Sequence, residues 1–143
     1  MTKLGPDDRQ GYKDIEVVQG YDRWASTYEG KPNPLIMLEE PTTLELVGDV
    51  HGQRALDLGC GAGRYCALLA ERGAAVIGLD PSSGMRERAK LKIAPTCFFE
   101  LRQGTLETTY FPDEHFDLVV SALTLSHLPE LEPTMSEIVR VLK

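Results

Sequence analysis

Long hydrophobic runs and excess basic charge are both absent from this sequence. No run approaches the ~18 apolar residues that a membrane-spanning helix needs, and the first residues lack the apolar core of a secretory signal. The 22 acidic and 15 basic side chains give a formal net charge of -7, which repels a nucleic acid backbone or an anionic membrane surface. These absences predict a cytoplasmic protein without a membrane span, whose main partner is not a nucleic acid.

Cysteine is scarce, and its three copies show neither metal-binding nor redox spacing. Cys60, Cys66 and Cys97 form no C-x-x-C pair, and no pair of histidines of the kind that a zinc site uses lies nearby in the sequence. We therefore expect reduced thiols and no bound metal. Cys66 and Cys97 are expected to be small buried hydrophobic residues.

Hydrophobic residues, by contrast, make up 42% of the 143 positions, which is enough for one globular core. From position 55 onward, short apolar runs alternate with amphipathic stretches, as is typical of strand-helix units around a parallel sheet covered on both faces. The predicted strands are residues 55–60, 74–80, 96–103 and 116–123. The predicted helices are residues 63–73, 82–92 and 130–143, the last of which the end of the chain cuts off. The predicted fold class is α/β.

Residues 1–54 are predicted to form an N-terminal helical arm or lid. Within residues 14–28, apolar and aromatic side chains recur at steps of three and four, which is the spacing of one helical face. These side chains are Ile15, Val18, Tyr21, Trp24, Ala25 and Tyr28. A break at residues 30–34 follows, and a second helical segment is predicted over residues 35–40 and 42–48, on either side of Pro41.

A glycine-rich turn joins the first predicted strand to the first predicted helix of the α/β region. Without a β-carbon, its glycines let the backbone adopt positive φ and approach a ligand closely; they are Gly59, Gly61 and Gly63. The helix, expected to begin near Ala62, would present unpaired N–H groups above the turn. Asp80 ends the second strand 21 residues after Gly59, about where an acid reaches the two hydroxyls of a ribose. The pattern implies an adenosine moiety.

The spacing of the glycines distinguishes between adenosine-containing cofactors. A dinucleotide site has the pattern G-x-G-x-x-G, whereas here Arg64 stands where the third glycine would fall. Asp57 introduces the turn, and its carboxylate fits poorly beside a pyrophosphate but well beside the cationic end of an amino acid. Both observations disfavour a nicotinamide dinucleotide.

At these residues the chain resembles the class I S-adenosylmethionine-dependent methyltransferases, and among them the small-molecule group that includes the ubiquinone and menaquinone biosynthesis type. DLGCGAGR at residues 57–64 is similar to the first motif of the family, and GLDPSSGM at residues 78–85 is similar to the second. The resemblance covers about residues 16–143. It implies a Rossmann-like three-layer sandwich with a mostly parallel sheet, in which residues 55–143 form the cofactor-binding domain.

The resemblance also implies roles for individual residues. Asp57, Gly59 and Gly61 would hold the methionine part of S-adenosylmethionine, and Asp80 would hold its ribose. Positions near the adenine, near the methionine end and on the arm would complete the site; they are Pro81, Met85, Thr105, Leu106, Ser121, Ala122, Tyr21 and Tyr28.

Two positions leave part of the chemistry open. Thr105 stands where the family usually has an aspartate, and because charge-assisted hydrogen bonds are about twice as strong as neutral ones, we expect weaker cofactor binding than is usual. His127 occupies a frequent histidine position of the family and is a weak candidate for a proton acceptor, so the catalytic residues stay unassigned.

Glu39 and Glu40 are expected to lie on a solvated helix face.

In the family, the segment matching residues 140–143 is usually followed by a turn and three further strands. Their absence predicts a truncated product, or an apolar edge at residues 116–123 that a second copy covers. Three functions stay open. The first is methyl transfer to a small-molecule acceptor, the second is a non-catalytic S-adenosylmethionine-binding or interaction module, and the third is a nicotinamide-dependent oxidoreductase.

Overall fold

A parallel sheet lies at the centre of the computed structural model, which describes residues 16–28, 32–94 and 97–143. Within these residues its strands are β1 (Arg54–Leu58), β2 (Ala75–Leu79), β3 (Phe99–Arg102) and β4 (Leu118–Val120). They are ordered β3-β2-β1-β4, and every pairing is parallel. The order changes direction at β1, so the loops after β1 and β4 separate there and leave a crevice at the carboxyl ends of the strands.

The helices alternate with the strands, as the sequence predicts. They are α1 (Val17–Trp24), α2 (Pro34–Val47), α3 (Arg64–Glu71), α4 (Ser83–Lys92) and α5 (Glu132–Val141). One 3-10 turn (Ala25–Thr27) continues α1, and another (Leu125–His127) follows β4. No helix among the described residues is long and apolar enough to cross a membrane.

The sheet is buried on both faces because successive residues of a strand point to opposite sides. On one face, Ala55 of β1 packs in a cluster with Leu69 of α3. On the other face, Leu56 packs in a second cluster with Phe116 and with Val141 of α5. Helices therefore cover both sides of the sheet, and the predicted Rossmann-like three-layer sandwich is confirmed.

The strands are shorter than the apolar runs that predicted them. Of the run 116–123, only Leu118–Val120 forms a strand; the chain then leaves the sheet, and Leu123 has a positive φ of 57°. The run 55–60 stops at Leu58 because Gly59 has a φ of 77°. Residue 96, predicted to begin a strand, lies outside the described residues.

The last helix was predicted to be cut off by the end of the chain, and this prediction is wrong. Helix α5 ends at Val141, and Leu142 is extended, with φ −81° and ψ 141°. Leu142 forms a parallel bridge with Phe116, and the Lys143 N–H donates to the Phe116 carbonyl at 3.0 Å. These residues cover the start of the β4 edge, while Leu118–Val120 has no outer neighbour among the described strands.

The N-terminal segment contains the two predicted helices with different bounds. Helix α1 begins at Val17 and includes Gly20, while residues 14 and 15 lie outside the described part. Helix α2 is continuous through Pro41 and begins at Pro34, with the Asn33 side chain accepting from the Leu35 N–H at 3.0 Å. Pro34 thus starts a helix instead of breaking one, because the first helical position needs no N–H donor. Residues 30 and 31 of the predicted break are outside the described residues.

Candidate functional site

A cavity of about 1310 Å³ lies over the carboxyl ends of β1 and β2. Ligand cavities usually have volumes of roughly 300–1,000 Å³, so this space is large enough for a nucleoside-sized ligand. The structure brings most of the residues predicted from the sequence to its walls. They are Tyr21, Tyr28, Asp57, Gly59, Gly61, Asp80, Pro81, Met85, Thr105, Leu106, Ala122 and His127.

The glycine turn is attached to the end of β2. The N–H groups of Gly59 and Cys60 donate to the Leu79 carbonyl at 2.8 and 3.1 Å. The Thr124 hydroxyl donates to the Gly59 carbonyl at 3.1 Å, so the loop after β4 closes on the turn from the other side. Helix α3 begins at Arg64, two residues later than expected, because Gly63 is its N-cap in a left-handed conformation.

The Asp80 side chain is held in place by the main chain. One carboxylate oxygen accepts from the Gly61 N–H and the other from the Ser82 N–H, each at 2.8 Å. The carboxylate is 8% exposed, and burial raises its pKa while the two backbone hydrogen bonds lower it. A carboxylate has about four lone-pair sites, so two remain available to hydroxyl donors from the cavity.

Asp57 also reaches the cavity but points mainly toward the start of α3. One of its oxygens accepts from the Cys66 N–H at 3.0 Å and from the Cys66 thiol at 3.3 Å. The residue is only 2% exposed, and this burial raises the pKa of its carboxyl to about 6. Hydrogen bonds from Cys66 and the charge of Arg64 act in the opposite direction.

The pKa of Asp57 makes the stability of the fold dependent on pH. A carboxyl whose folded pKa is raised contributes stability that is complete below its unfolded pKa and is lost as the pH rises through the folded value. From pH 4 to pH 7 we therefore expect this group to lower the free energy of unfolding by roughly 2–3 kcal/mol. Urea unfolding across this range measures the slope, and Asp57→Asn should flatten it. An unchanged slope in the variant would contradict the assignment.

The arm closes the open side of the cavity. The Tyr21 hydroxyl and Nε2 of His127 are 2.8 Å apart, so a side-chain hydrogen bond joins α1 to the 3-10 turn after β4. Burial is the main cause of a raised pKa for Tyr21. The rings of Trp24 and Tyr28 pack edge to face at a centroid distance of 4.8 Å, and both line the cavity. Sequence periodicity placed Trp24 on the same helix face as Tyr21 and Tyr28.

The predicted adenine side of the site is apolar. Met85 is 1% exposed and packs with Ala25 and Ala62, while Leu106 is 5% exposed. Thr105 lies on the cavity wall with much of its surface open. The geometry is compatible with a flat ring held by apolar contacts, and the individual roles stay predictions.

Ser121 is the predicted site residue that the structure places elsewhere. Its hydroxyl donates to the Leu58 carbonyl at 2.8 Å, because the chain leaves β4 at this point and satisfies the end of β1. The residue lines a second cavity of about 450 Å³ between α2 and the edge of β4. Its neighbour Ala122 reaches both cavities.

Glu39 and Glu40 do not form a solvated helix face, so that prediction is wrong. Both carboxylates form ion pairs with Arg64, which lines the main cavity, and the pair with Glu40 measures 2.8 Å. The Tyr65 hydroxyl donates to Glu39 at 2.7 Å. These contacts attach α2 to the start of α3, and only a tertiary structure could reveal them because the partners are 24 to 26 residues apart.

Metal-binding clusters of three or more His, Cys, Asp or Glu side chains do not occur within residues 16–28, 32–94 and 97–143. The three cysteines are unpaired; Cys60 and Cys66 are buried, and Cys97 is partly exposed. Full burial of Cys66 agrees with the expected role, whereas Cys97, expected to be buried, is only partly so.

Residues 56–143 match a family described as "Methyltransferase domain", and this match covers more than half of the chain. The chain is 31% identical to an S-adenosylmethionine-dependent methyltransferase of Mesorhizobium loti of known structure, with a TM-score of 0.66 over 72% of this chain and 48% of that chain. The chain therefore belongs to the class I S-adenosylmethionine-dependent methyltransferases.

Two curated relatives act on different acceptors, to judge from their names. The chain is 38% identical to a phosphatidylethanolamine N-methyltransferase of Cereibacter sphaeroides over 87% of this chain and 62% of the relative. It is 32% identical to a demethylmenaquinone methyltransferase of Clavibacter sepedonicus over 90% of this chain and 54% of the relative. The chain thus spans between half and two thirds of the length of these relatives.

Proposed function

We propose that this chain binds S-adenosylmethionine in the main cavity and transfers its methyl group to a small-molecule acceptor, in the cytoplasm and without a metal. The observation that carries the proposal is the shared wall of the cavity, where the glycine turn, the oriented carboxylate of Asp80 and the arm face one space. The cofactor, when bound, supplies a methyl group that is already activated on a sulfonium. The protein then has to position the reactants and exclude water.

The residues fit this cofactor chemically. Gly59 and Gly61 both line the cavity, and both have a positive φ, 77° and 51°, that favours glycine. Asp57 and Asp80 contribute negative charge next to a ligand with a cationic sulfonium and ammonium. We assign the methionine end to Asp57, Gly59 and Gly61, and the ribose to Asp80.

The arm provides the acceptor side of the proposed site. Tyr21 and His127 lie where α1 meets the loop after β4, and the Trp24 and Tyr28 rings extend this wall. Holding two reactants at attack distance in a water-free space can supply about 7–11 kcal/mol of the barrier. Of the residues on this side of the cavity, His127 has the side chain best suited to accept a proton, and its ring is hydrogen-bonded to the Tyr21 hydroxyl.

The acceptor class is proposed from the relatives. One relative is named for a quinone precursor and another for an amine lipid. We propose a small acceptor of the quinone-precursor type, because three aromatic side chains of the arm, Tyr21, Trp24 and Tyr28, line the cavity. An amine acceptor is the competing outcome, because one relative is named for an amine lipid.

Calorimetric titration with S-adenosylhomocysteine and with NAD tests cofactor binding. Heat with the former and none with the latter is expected, and the reverse would contradict the proposed cofactor. Release of labelled S-adenosylhomocysteine in the presence of a dihydroxylated aromatic acceptor or a primary amine then tests turnover. Binding without turnover for either acceptor class would favour the alternative of a non-catalytic S-adenosylmethionine-binding module.

Self-association through the β4 edge is a separate proposal. The groove beside Leu118–Val120 is lined by apolar residues of α2, including Leu46, which is 83% exposed. Sedimentation velocity should detect a dimer, and Leu46→Lys should weaken it about tenfold by placing a charge in the groove. Leu91→Lys on α4 is the matched control, because Leu91 is 82% exposed but lies away from the groove. A concentration-independent monomer would contradict the proposal.

A further inference from the structure

A continuous chain of hydrogen bonds connects the arm to the proposed ribose carboxylate. The Ser82 N–H donates to Asp80, and the Ser82 hydroxyl donates to the Asp22 carboxylate of α1 at 2.6 Å. The same Asp22 oxygen accepts from the Gly84 N–H at 2.9 Å. Asp22 therefore caps the first turn of α4 from outside that helix, and Ser82 contacts both carboxylates.

The backbone of the arm fits closely against α4 at this point. A β-carbon at Gly84 would lie 3.0 Å from the Ala25 β-carbon and 3.3 Å from the Asp22 α-carbon. Ala25 is 5% exposed and packs in one cluster with Met85. A β-carbon at residue 84 would require α1 and α4 to separate by a few tenths of an ångström, so the absence of a side chain there allows the close contact.

The charge of Asp22 suits its position. Hydrogen bonds from Ser82 and then from Gly84 lower the pKa of its carboxyl, so the group is ionised at neutral pH. An anion near a helix N-terminus is favoured by the helix dipole. On α1, Asp22 directly follows Tyr21, the residue that is hydrogen-bonded to His127, and precedes Trp24 by two positions. The hydrogen bonds between Asp22 and the start of α4 therefore help to hold Tyr21 and Trp24 in position at the cavity.

We propose that Asp22 is a positioning residue that couples closure of the arm to occupation of the ribose site. The inference rests on the proposed cofactor binding. A ribose bound to Asp80 stabilises the same carboxylate that accepts from the Ser82 N–H, and the hydroxyl of that serine holds Asp22. Coupling of this kind is reciprocal. If the contact between Asp22 and α4 raises cofactor affinity by some factor, the bound cofactor stabilises that contact by the same factor.

The test uses Asp22→Ala and the single tryptophan of the chain, Trp24, as a fluorescent reporter on the arm. Alanine is a stronger helix former than aspartate, so the substitution does not weaken α1 itself. In the wild type, saturation with S-adenosylhomocysteine should change the Trp24 emission. In Asp22→Ala, calorimetry should show about fivefold weaker binding, and the emission change at saturation should be lost. Asp22→Asn keeps an acceptor oxygen, so it should retain part of the affinity and part of the Trp24 emission change.

Arg23→Gln is the matched control, because it changes the charge of the exposed residue next to Asp22 and leaves the Asp22 contacts in place. It should behave like the wild type. In a Ser82→Ala background, the effect of Asp22→Ala on affinity should fall by at least half, since the two residues act through one hydrogen bond.

The outcomes separate this inference from the proposed function. If the wild type gives no heat with S-adenosylhomocysteine, both fail. If the wild type binds and Asp22→Ala keeps the full Trp24 response, only the coupling is overturned. A lower unfolding temperature in Asp22→Ala, with unchanged affinity and an unchanged emission response, would assign Asp22 a purely structural role and would also overturn the coupling.

Discussion

Asp80→Ala is expected to weaken binding of S-adenosylhomocysteine by about a hundredfold or more. Hydrogen bonds to a charged group are worth about 1.5–3 kcal/mol each, and the substitution removes the acceptor for two ribose hydroxyls. It also leaves the N–H groups of Gly61 and Ser82 without the carboxylate that holds them, so the turn loses its fixed position. Isothermal titration of both proteins gives the ratio of dissociation constants.

Two further variants make this result interpretable. Asp80→Asn keeps one acceptor oxygen and should lose affinity by an intermediate factor. Asp113→Ala removes an acid whose side chain is 75% exposed and should bind like the wild type. Circular dichroism must show that Asp80→Ala is folded at the titration temperature. A folded Asp80→Ala protein with wild-type affinity would refute the proposed ribose site.

Gly59→Ala is expected to cost roughly 2–5 kcal/mol of unfolding free energy and to abolish cofactor binding. The residue has a φ of 77°, where a β-carbon costs about 1–2 kcal/mol. A β-carbon would also overlap the Thr124 side chain, with the hydroxyl oxygen only 2.7 Å away, and overpacking adds about 1–3 kcal/mol. Urea unfolding measures the loss.

Gly52→Ala separates the backbone cost of a positive φ from the cost of the contact with Thr124. Gly52 has a similar φ of 75°, and nothing lies within 4 Å of its added β-carbon. It should lose only the backbone contribution, about 1–2 kcal/mol. Adding Thr124→Ala to Gly59→Ala removes the two nearest atoms and should recover part of the stability. Equal losses at positions 52 and 59 would show that the contact with Thr124 is unimportant.

The α/β fold and much of the site could be predicted because their signals are local in the sequence. The glycine turn, the acid that ends β2 and the apolar periodicity of α1 each occupy a few consecutive residues. Asp80 therefore lies at the cavity, at the place that the strand-turn-helix pattern required. Tyr21 also reaches the cavity from the predicted helix.

Other features depend on partners far apart in the chain, which no local pattern encodes. Ser121 binds the Leu58 carbonyl 63 residues away, and for this reason it turns from the main cavity. Glu39 is held by Arg64 across 25 residues, so an acidic pair typical of a solvated surface became a link between helices. Strand ends were overestimated because apolar character continues past the residue at which the backbone turns.

The anchoring of Asp80 by two main-chain amides has a kinetic consequence. A carboxylate already locked in its working orientation has no side-chain rotamers left to freeze, so capture of a nucleoside needs no slow rearrangement there. In Asp80→Asn one of the two amides loses its acceptor, so stopped-flow association should be slower than with the wild-type protein. Discrimination between ligands at this acid should be found in how long each complex survives.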